Sequence, residues 1–169
     1  MNVEFTAQLF GLVSFGLGLS TFYQKDDRKL KVIMLLLNVN HLVHFLLLGS
    51  LLSAVGAALS ALRTYCAIYT RSIWVAAIFI GVGVASGTAL AENWYQLFPI
   101  AGTIIGTYSI FLLKGITLRI GFLLGSTCWL VNNLMVGSIG GSLLEISVIV
   151  MNITTIVRIY RDRQPLLQQ

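Results

Sequence analysis

Seven apolar runs, each about as long as a bilayer crossing, follow one another with almost nothing between them. They cover roughly residues 5–23, 30–48, 51–70, 73–91, 97–113, 118–136 and 142–160. A helix rises about 1.5 Å per residue, so about 20 mostly apolar residues cross the hydrocarbon core. The breaks are too short for soluble domains. Gly49-Ser50 separates the second and third runs, and Ser138 to Gly141 separates the sixth and seventh. Only 10% of the 169 residues are charged, against 57% hydrophobic, where a soluble domain carries about 25% charged residues. Such a chain lacks the polar surface to cover a globule in water. The expectation is an all-α integral membrane protein with seven transmembrane helices in one membrane domain.

The charges give an orientation. Lys25, Arg28, Lys29 and Lys31 fall around the first connection, Arg71 at the third, and Lys114 and Arg119 beside the fifth. Arg158, Arg161 and Arg163 follow the last run. With seven spans and the N-terminus outside, all of these are cytoplasmic, as the positive-inside rule requires. The outer connections are the Gly/Ser turns and Ala91 to Gln96, with Glu92 as their only charge. The N-terminus is thus expected to be periplasmic and the C-terminus cytoplasmic. Arg63 is the one basic residue this counting leaves within a helix. The net charge of +5 sits in these clusters, with no basic face or motif for nucleic acid. Cys66 and Cys128 lie in apolar runs without metal spacing and read as buried structural thiols. The first residues, MNVEFTAQLF, lack the basic region of a cleaved signal, so the first helix is expected to be retained.

A shift of 88 positions (137 − 49) lays one part of the chain over another without a gap. Gly49-Ser50 falls on Gly137-Ser138, Leu42-Val43 on Leu130-Val131, His41 on Trp129, His44 on Asn132 and Lys31 on Arg119. Ser14-x-x-x-Gly18 falls on Gly102-x-x-x-Gly106, a spacing of small residues that lets helices approach closely. The copies are helices one to three and five to seven. A tandem copy of three helices would point the wrong way, and the unmatched fourth run restores parallel orientation. Parallel repeats are a known transporter plan. The expected layout is a first triple-helix bundle (1–72), a linker helix (73–96), a second bundle (97–163) and a cytoplasmic tail (164–169).

Polar residues inside such helices are costly and usually face protein or a wet cavity. The second run carries Asn38, Asn40, His41 and His44; the sixth carries Trp129, Asn132 and Asn133; the seventh carries Glu145 and Asn152. His41 and His44, three apart, share a helix face and with Glu145 form a weak candidate metal or proton site. The alternative is histidines bonded to neighbouring helices. Arg63 sits about 10 Å from the cytoplasmic end. It either snorkels to the interface or lines an inner vestibule. The amides either tie helices together or, with Trp129, line a central pocket where an aromatic ring stacks on a sugar-like face.

Seven short helices in a three-plus-one-plus-three order resemble the SWEET sugar facilitators of the MtN3/PQ-loop group. Trp129-Leu-Val-Asn132 and Ile139-Gly140 followed by Glu145 are similar to motifs of their sixth and seventh helices. SWEET repeats carry a hinge proline. The first repeat here has none, and Pro99 lies near the outer end of the fifth helix. More closely, the chain resembles the bacterial inner-membrane YgjV-type proteins. That resemblance rests on FYQKDDRKLK (Phe22 to Lys31), HFLLLG (His44 to Gly49), SALRT (Ser60 to Thr64), RSIW (Arg71 to Trp74), LFPIAGTI (Leu97 to Ile104), KGITLR (Lys114 to Arg119) and GSIGG (Gly137 to Gly141). It implies a multi-pass inner-membrane protein and brings no activity with it.

The expected function is SWEET-like facilitation of a small polar solute by alternating access. The expected binding residues are Trp129, Asn132, Asn152, His41, His44 and Arg63. No phosphate loop, nucleophile set or carboxylate pair is present, so neither an enzyme nor a cofactor is expected. The partners are the lipid bilayer and the solute; oligomeric state is open. The competing classes are a non-transporting structural or partner-binding membrane protein of the same fold, and a metal- or proton-linked carrier using His41, His44 and Glu145.

Overall fold

The computed structural model describes residues 3–91, 93–135, 137 and 139–163. Among them are seven α-helices and no strand: α1 (Val3–Tyr23), α2 (Asp27–Leu47), α3 (Leu51–Tyr69), α4 (Ile73–Leu90), α5 (Leu97–Leu112), α6 (Gly115–Met135) and α7 (Ile139–Arg163). A single 3-10 turn, Trp94–Gln96, leads into α5. Four stretches are long and apolar enough to cross a membrane: Phe5–Tyr23, Asp27–Leu47, Trp94–Leu112 and Ser142–Asp162. Ile73–Ala89 is a shorter apolar helix. The expected tail, 164–169, and the outer charge Glu92 lie outside the described residues.

The chain divides into two compact units, Met1–Tyr69 and Thr70–Gln169. In the first, α1 and α3 both pack on α2; in the second, α4 packs on α5, and α5 and α7 both pack on α6. Many large apolar residues are exposed and many polar ones enclosed. Leu12, Leu51, Trp74 and Ile139 are largely exposed, while Thr21, Thr64, Thr107, Ser109, Arg119, Asn152 and Thr155 are fully enclosed. Apolar side chains outward and polar ones inward suit a lipid solvent, where polar groups find partners only inside.

The 88-residue offset carries over to the folded units. Of the eleven buried residues in the first, eight fall on buried residues of the second. Ser14, Thr21, Leu30, Lys31, Met34, Ala54, Thr64 and Ala67 match Gly102, Ser109, Leu118, Arg119, Phe122, Ser142, Asn152 and Thr155. Only about a quarter of residues 95–157 are buried, so the match is far above chance. Local bonds repeat as well. Thr21 Oγ1 donates to Leu17 O at 2.7 Å, and its counterpart Ser109 Oγ donates to Ile105 O at 2.6 Å. Thr64 Oγ1 donates to Ser60 O at 2.8 Å, and Asn152 Nδ2 donates to Val148 O at 3.0 Å.

The Gly turns repeat for a backbone reason. Gly49 has φ +72° and Gly137 φ +74°, a left-handed conformation that costs an L residue roughly 1–2 kcal/mol. Gly49 N–H bonds Leu46 O at 3.1 Å and Ser50 N–H bonds Phe45 O at 2.9 Å, which closes the end of α2. Gly137 N–H bonds Leu134 O at 3.2 Å, the same link 88 residues on.

Two expectations need correction. Lys31 and Arg119 are not connection charges. α2 begins at Asp27, capped by the Asp26 carboxylate at Lys29 N–H, and α6 begins at Gly115, so both cations lie inside helices and are buried. Arg63 is therefore not alone. Lys31 Nζ donates to Ala67 O at 2.8 Å, one of the last carbonyls of α3, which have no partner within the helix. A cation there also suits the negative end of the helix dipole. The second correction concerns the thiols: Cys66 and Cys128 are free and half-buried, not buried.

Lys31→Met leaves a buried carbonyl unsatisfied and should lower stability by about 2 kcal/mol. The melting temperature in detergent reads this out, with Lys29→Met, at an exposed site, as the silent control. Equal melting temperatures for the two variants would remove Lys31 from the helix-end role.

Candidate functional site

In the first unit, the two histidines of α2 have different surroundings. His44 Nδ1 lies 2.7 Å from Ala7 O in α1. A carbonyl only accepts, so Nδ1 carries the proton and donates. The ring sits over Gly11, where a Cβ would be 3.1 Å from His44 Cε1. His41 is half-buried with its ring 5.7 Å from that of Phe45. His44 is thus a helix tie, and its Nδ1 is closed to a metal while it donates. Asn40 does similar work: its Nδ2 donates to Phe10 O and Ser14 Oγ, both at 2.7 Å. Asn38 Nδ2 donates to Thr64 Oγ1 at 3.1 Å and Ser60 O at 3.3 Å, tying α2 to α3. Arg63, next to Thr64 in α3, is half-buried.

In the second unit, the polar residues have spare capacity. Trp129 is 39% exposed, yet one edge of its indole lies against Gly102 of α5, where a Cβ would be 2.9 Å from Trp129 Cδ1. Asn132 Oδ1 is buried and has no hydrogen-bond partner among the described residues. Asn152 is fully buried; its Nδ2 is used by Val148 O within α7, and its Oδ1 has no such partner. Glu145 of α7 is half-buried and lies near Ser126 of α6.

Helical phase explains part of this grouping. Ser142, Val148, Asn152, Thr155 and Ile159 are the buried residues of α7 and form a three/four-spaced stripe. Glu145 belongs to that stripe, so its carboxyl turns toward α6. Ser126, its partner, was not among the candidates. The repeat offers the signal that would have found it, since Ser126 is the counterpart of Asn38, the amide that joins α2 to α3.

The six expected binding residues fall three to each unit: His41, His44 and Arg63 in the first, and Trp129, Asn132 and Asn152 in the second. The weak metal set likewise divides, with Glu145 in the second unit. Among the described residues no three His, Cys, Asp or Glu gather as a metal would require. Two cavities are described. One of about 400 Å³ is lined almost wholly by apolar side chains, including Ile80, Ile104, Tyr108, Ile120 and Leu124. The other, about 480 Å³, lies at the start of α2 beside Asp26, Arg28, Lys29, Val32 and Ile33. Neither is lined by any of the six.

Comparison with known proteins gives the family. A family model described as bacterial inner membrane protein Imp-YgjV matches residues 5–163. The inner membrane protein YgjV of Escherichia coli (strain K12) is 37% identical over 161 residues, covering 95% of this chain and 88% of that protein. No solved structure matches. With apolar helices long enough to cross a bilayer and a match over nearly its whole length, the chain belongs to the YgjV family of bacterial inner membrane proteins.

Proposed function

We propose that this inner membrane protein is a facilitator of a small polar solute, without enzymatic activity, built as two SWEET-like triple-helix repeats joined by α4. All seven helices cross the membrane in this proposal, with the N-terminus periplasmic and the C-terminus cytoplasmic. One observation carries it: Asn132 Oδ1 and Asn152 Oδ1 are buried acceptors without a partner among the described residues. An unsatisfied buried acceptor costs roughly 1–3 kcal/mol, and a solute hydroxyl would recover that cost. Trp129, exposed on one side, supplies a stacking face beside Asn132 on α6. In the first repeat the proposal assigns solute contacts to His41, to Arg63 and to His44 through Nε2, because its Nδ1 serves α1. The chain has no phosphate-binding loop, so movement is downhill or ion-coupled. Vesicles containing the protein should then reswell faster in a polyol gradient than empty vesicles.

The orientation has its own test. In a Cys66→Ser, Cys128→Ser background, Ser50→Cys should react with an impermeant maleimide added outside spheroplasts. Arg71→Cys should react only after permeabilisation. The reverse pattern would invert the proposed topology.

A second reading, a structural or partner-binding membrane protein, draws support from the cavities: neither of the two described is lined by the six expected residues.

A further inference from the structure

Glu145 stands apart from the other acids of the chain. Asp26 and Asp27 lie at the start of α2, Asp162 at the end of α7 and Glu4 at the start of α1, while Glu92 lies outside the described residues. Glu145 lies six residues inside α7 (145 − 139), within the apolar stretch Ser142–Asp162, and is turned into the crossing with α6. There the residue near it is Ser126, itself 9% exposed. An ionised carboxylate in such a place requires a cation or loses its charge.

The neighbouring helix offers no suitable cation. The titratable groups of α6 are Arg119 and Cys128. Cys128 is a free, half-buried thiol, which supplies no cation. Arg119 lies seven residues below Ser126, about 10 Å along the helix, and its Nη1 donates back to Gly115 O at 3.4 Å, away from Glu145. On α7 the nearest cation is Arg158, thirteen residues on, about 20 Å. Ser126 alone cannot balance a full charge.

The repeat sharpens the contrast. The counterpart of Glu145 is Ala57 (145 − 88), a buried apolar residue. The counterpart of Ser126 is Asn38, which joins Thr64. In the second unit Ser126 lies near Glu145, and Asn152, the counterpart of Thr64, keeps an unspent Oδ1 on the same face of α7 two turns deeper. The acid stands in one repeat only.

We infer that Glu145, with Ser126, is a proton-binding site: the carboxyl holds a proton in the resting protein and releases it only when the α6–α7 crossing is hydrated. Two oxygen donors make a poor metal site but a sufficient one for a proton. In a solute carrier this site would couple solute to proton. The site itself stands without that role, and its test uses no solute.

The probe is dicyclohexylcarbodiimide, which reacts with protonated carboxyls in apolar surroundings. The acid proton goes to one carbodiimide nitrogen and the carboxyl oxygen bonds the central carbon. An acyl shift to nitrogen then leaves a stable adduct with no leaving group. In the purified wild-type protein in detergent at neutral pH, intact mass should show one adduct per chain. Peptide mapping should place it on Glu145, with none on Asp26, Asp27 or Asp162, and Glu145→Gln should lose it. Raising the pH should slow labelling at Glu145. An unlabelled Glu145 at neutral pH, or an adduct mapped to another acid, overturns the inference. Mapping on the wild type decides the matter even if Glu145→Gln fails to fold.

Discussion

Gly102→Val should lower the stability of the purified protein by about 3 kcal/mol, while Gly106→Ala, one turn along the same helix, should leave it unchanged or raise it. The two glycines form one small-xxx-small motif but occupy different environments. A Cβ on Gly102 would lie 2.9 Å from the Gly125 carbonyl oxygen of α6 and 2.9 Å from Trp129 Cδ1. A backbone carbonyl cannot swing away as a flexible side chain can, so α5 and α6 must separate. A Cβ on Gly106 meets nothing within 4 Å, and alanine in a helix interior is favoured over glycine by roughly 0.5–1 kcal/mol. Denaturation in detergent, followed by tryptophan fluorescence, reads both variants. Equal losses would mean that Gly102 does not mark the α5–α6 crossing.

The same pair shows what a sequence can and cannot convey about such a bundle. Spacing identifies a helix face but not which turn of that face meets the neighbour. In the first repeat the leading position, Ser14, is likewise the one engaged, through Asn40 Nδ2. The trailing Gly18 has open space around its Cβ. The helices and the Gly49 and Gly137 turns were legible because apolar length and left-handed backbone leave direct marks on composition. Eight buried positions follow the 88-residue offset.

That His44 ties helices was one of the two readings the sequence offered; its partner was not legible, because it is a backbone carbonyl of α1 and any residue type supplies one. Nor was the burial of Lys31 and Arg119. Positive-inside counting treats every cation near a helix end as a loop charge. A cation recurring at matched positions of the two repeats was nonetheless a sign of a built contact. Glu145 stood out as a lone intramembrane acid, but its partner did not. The sequence suggested distant histidines; the structure supplies Ser126 on the adjoining helix.

Asn132 gives the sharpest separation between a binding residue and a packing residue. A buried acceptor without a partner destabilises the fold that holds it, so Asn132→Leu, close in size and apolar, should hold or raise the melting temperature. If the amide bonds the moving solute, the same variant should slow transport. One lost hydrogen bond of about 0.5–1.5 kcal/mol corresponds to a roughly two- to thirteenfold change. Trp129→Ala removes a stacking face and should reduce transport further, though it also opens space beside Gly102 and should cost stability. A residue that only holds helices together would show loss of stability without this split.

The most direct measurement is therefore light-scattering reswelling of proteoliposomes in gradients of glycerol, glucose and sucrose, with empty liposomes and the Asn132→Leu protein beside the wild type. The account predicts that wild type passes at least one of these solutes faster than empty liposomes, and that Asn132→Leu loses most of that flux while remaining as stable as wild type. Reswelling at the empty-liposome rate for every solute, or flux unchanged in Asn132→Leu, would contradict it.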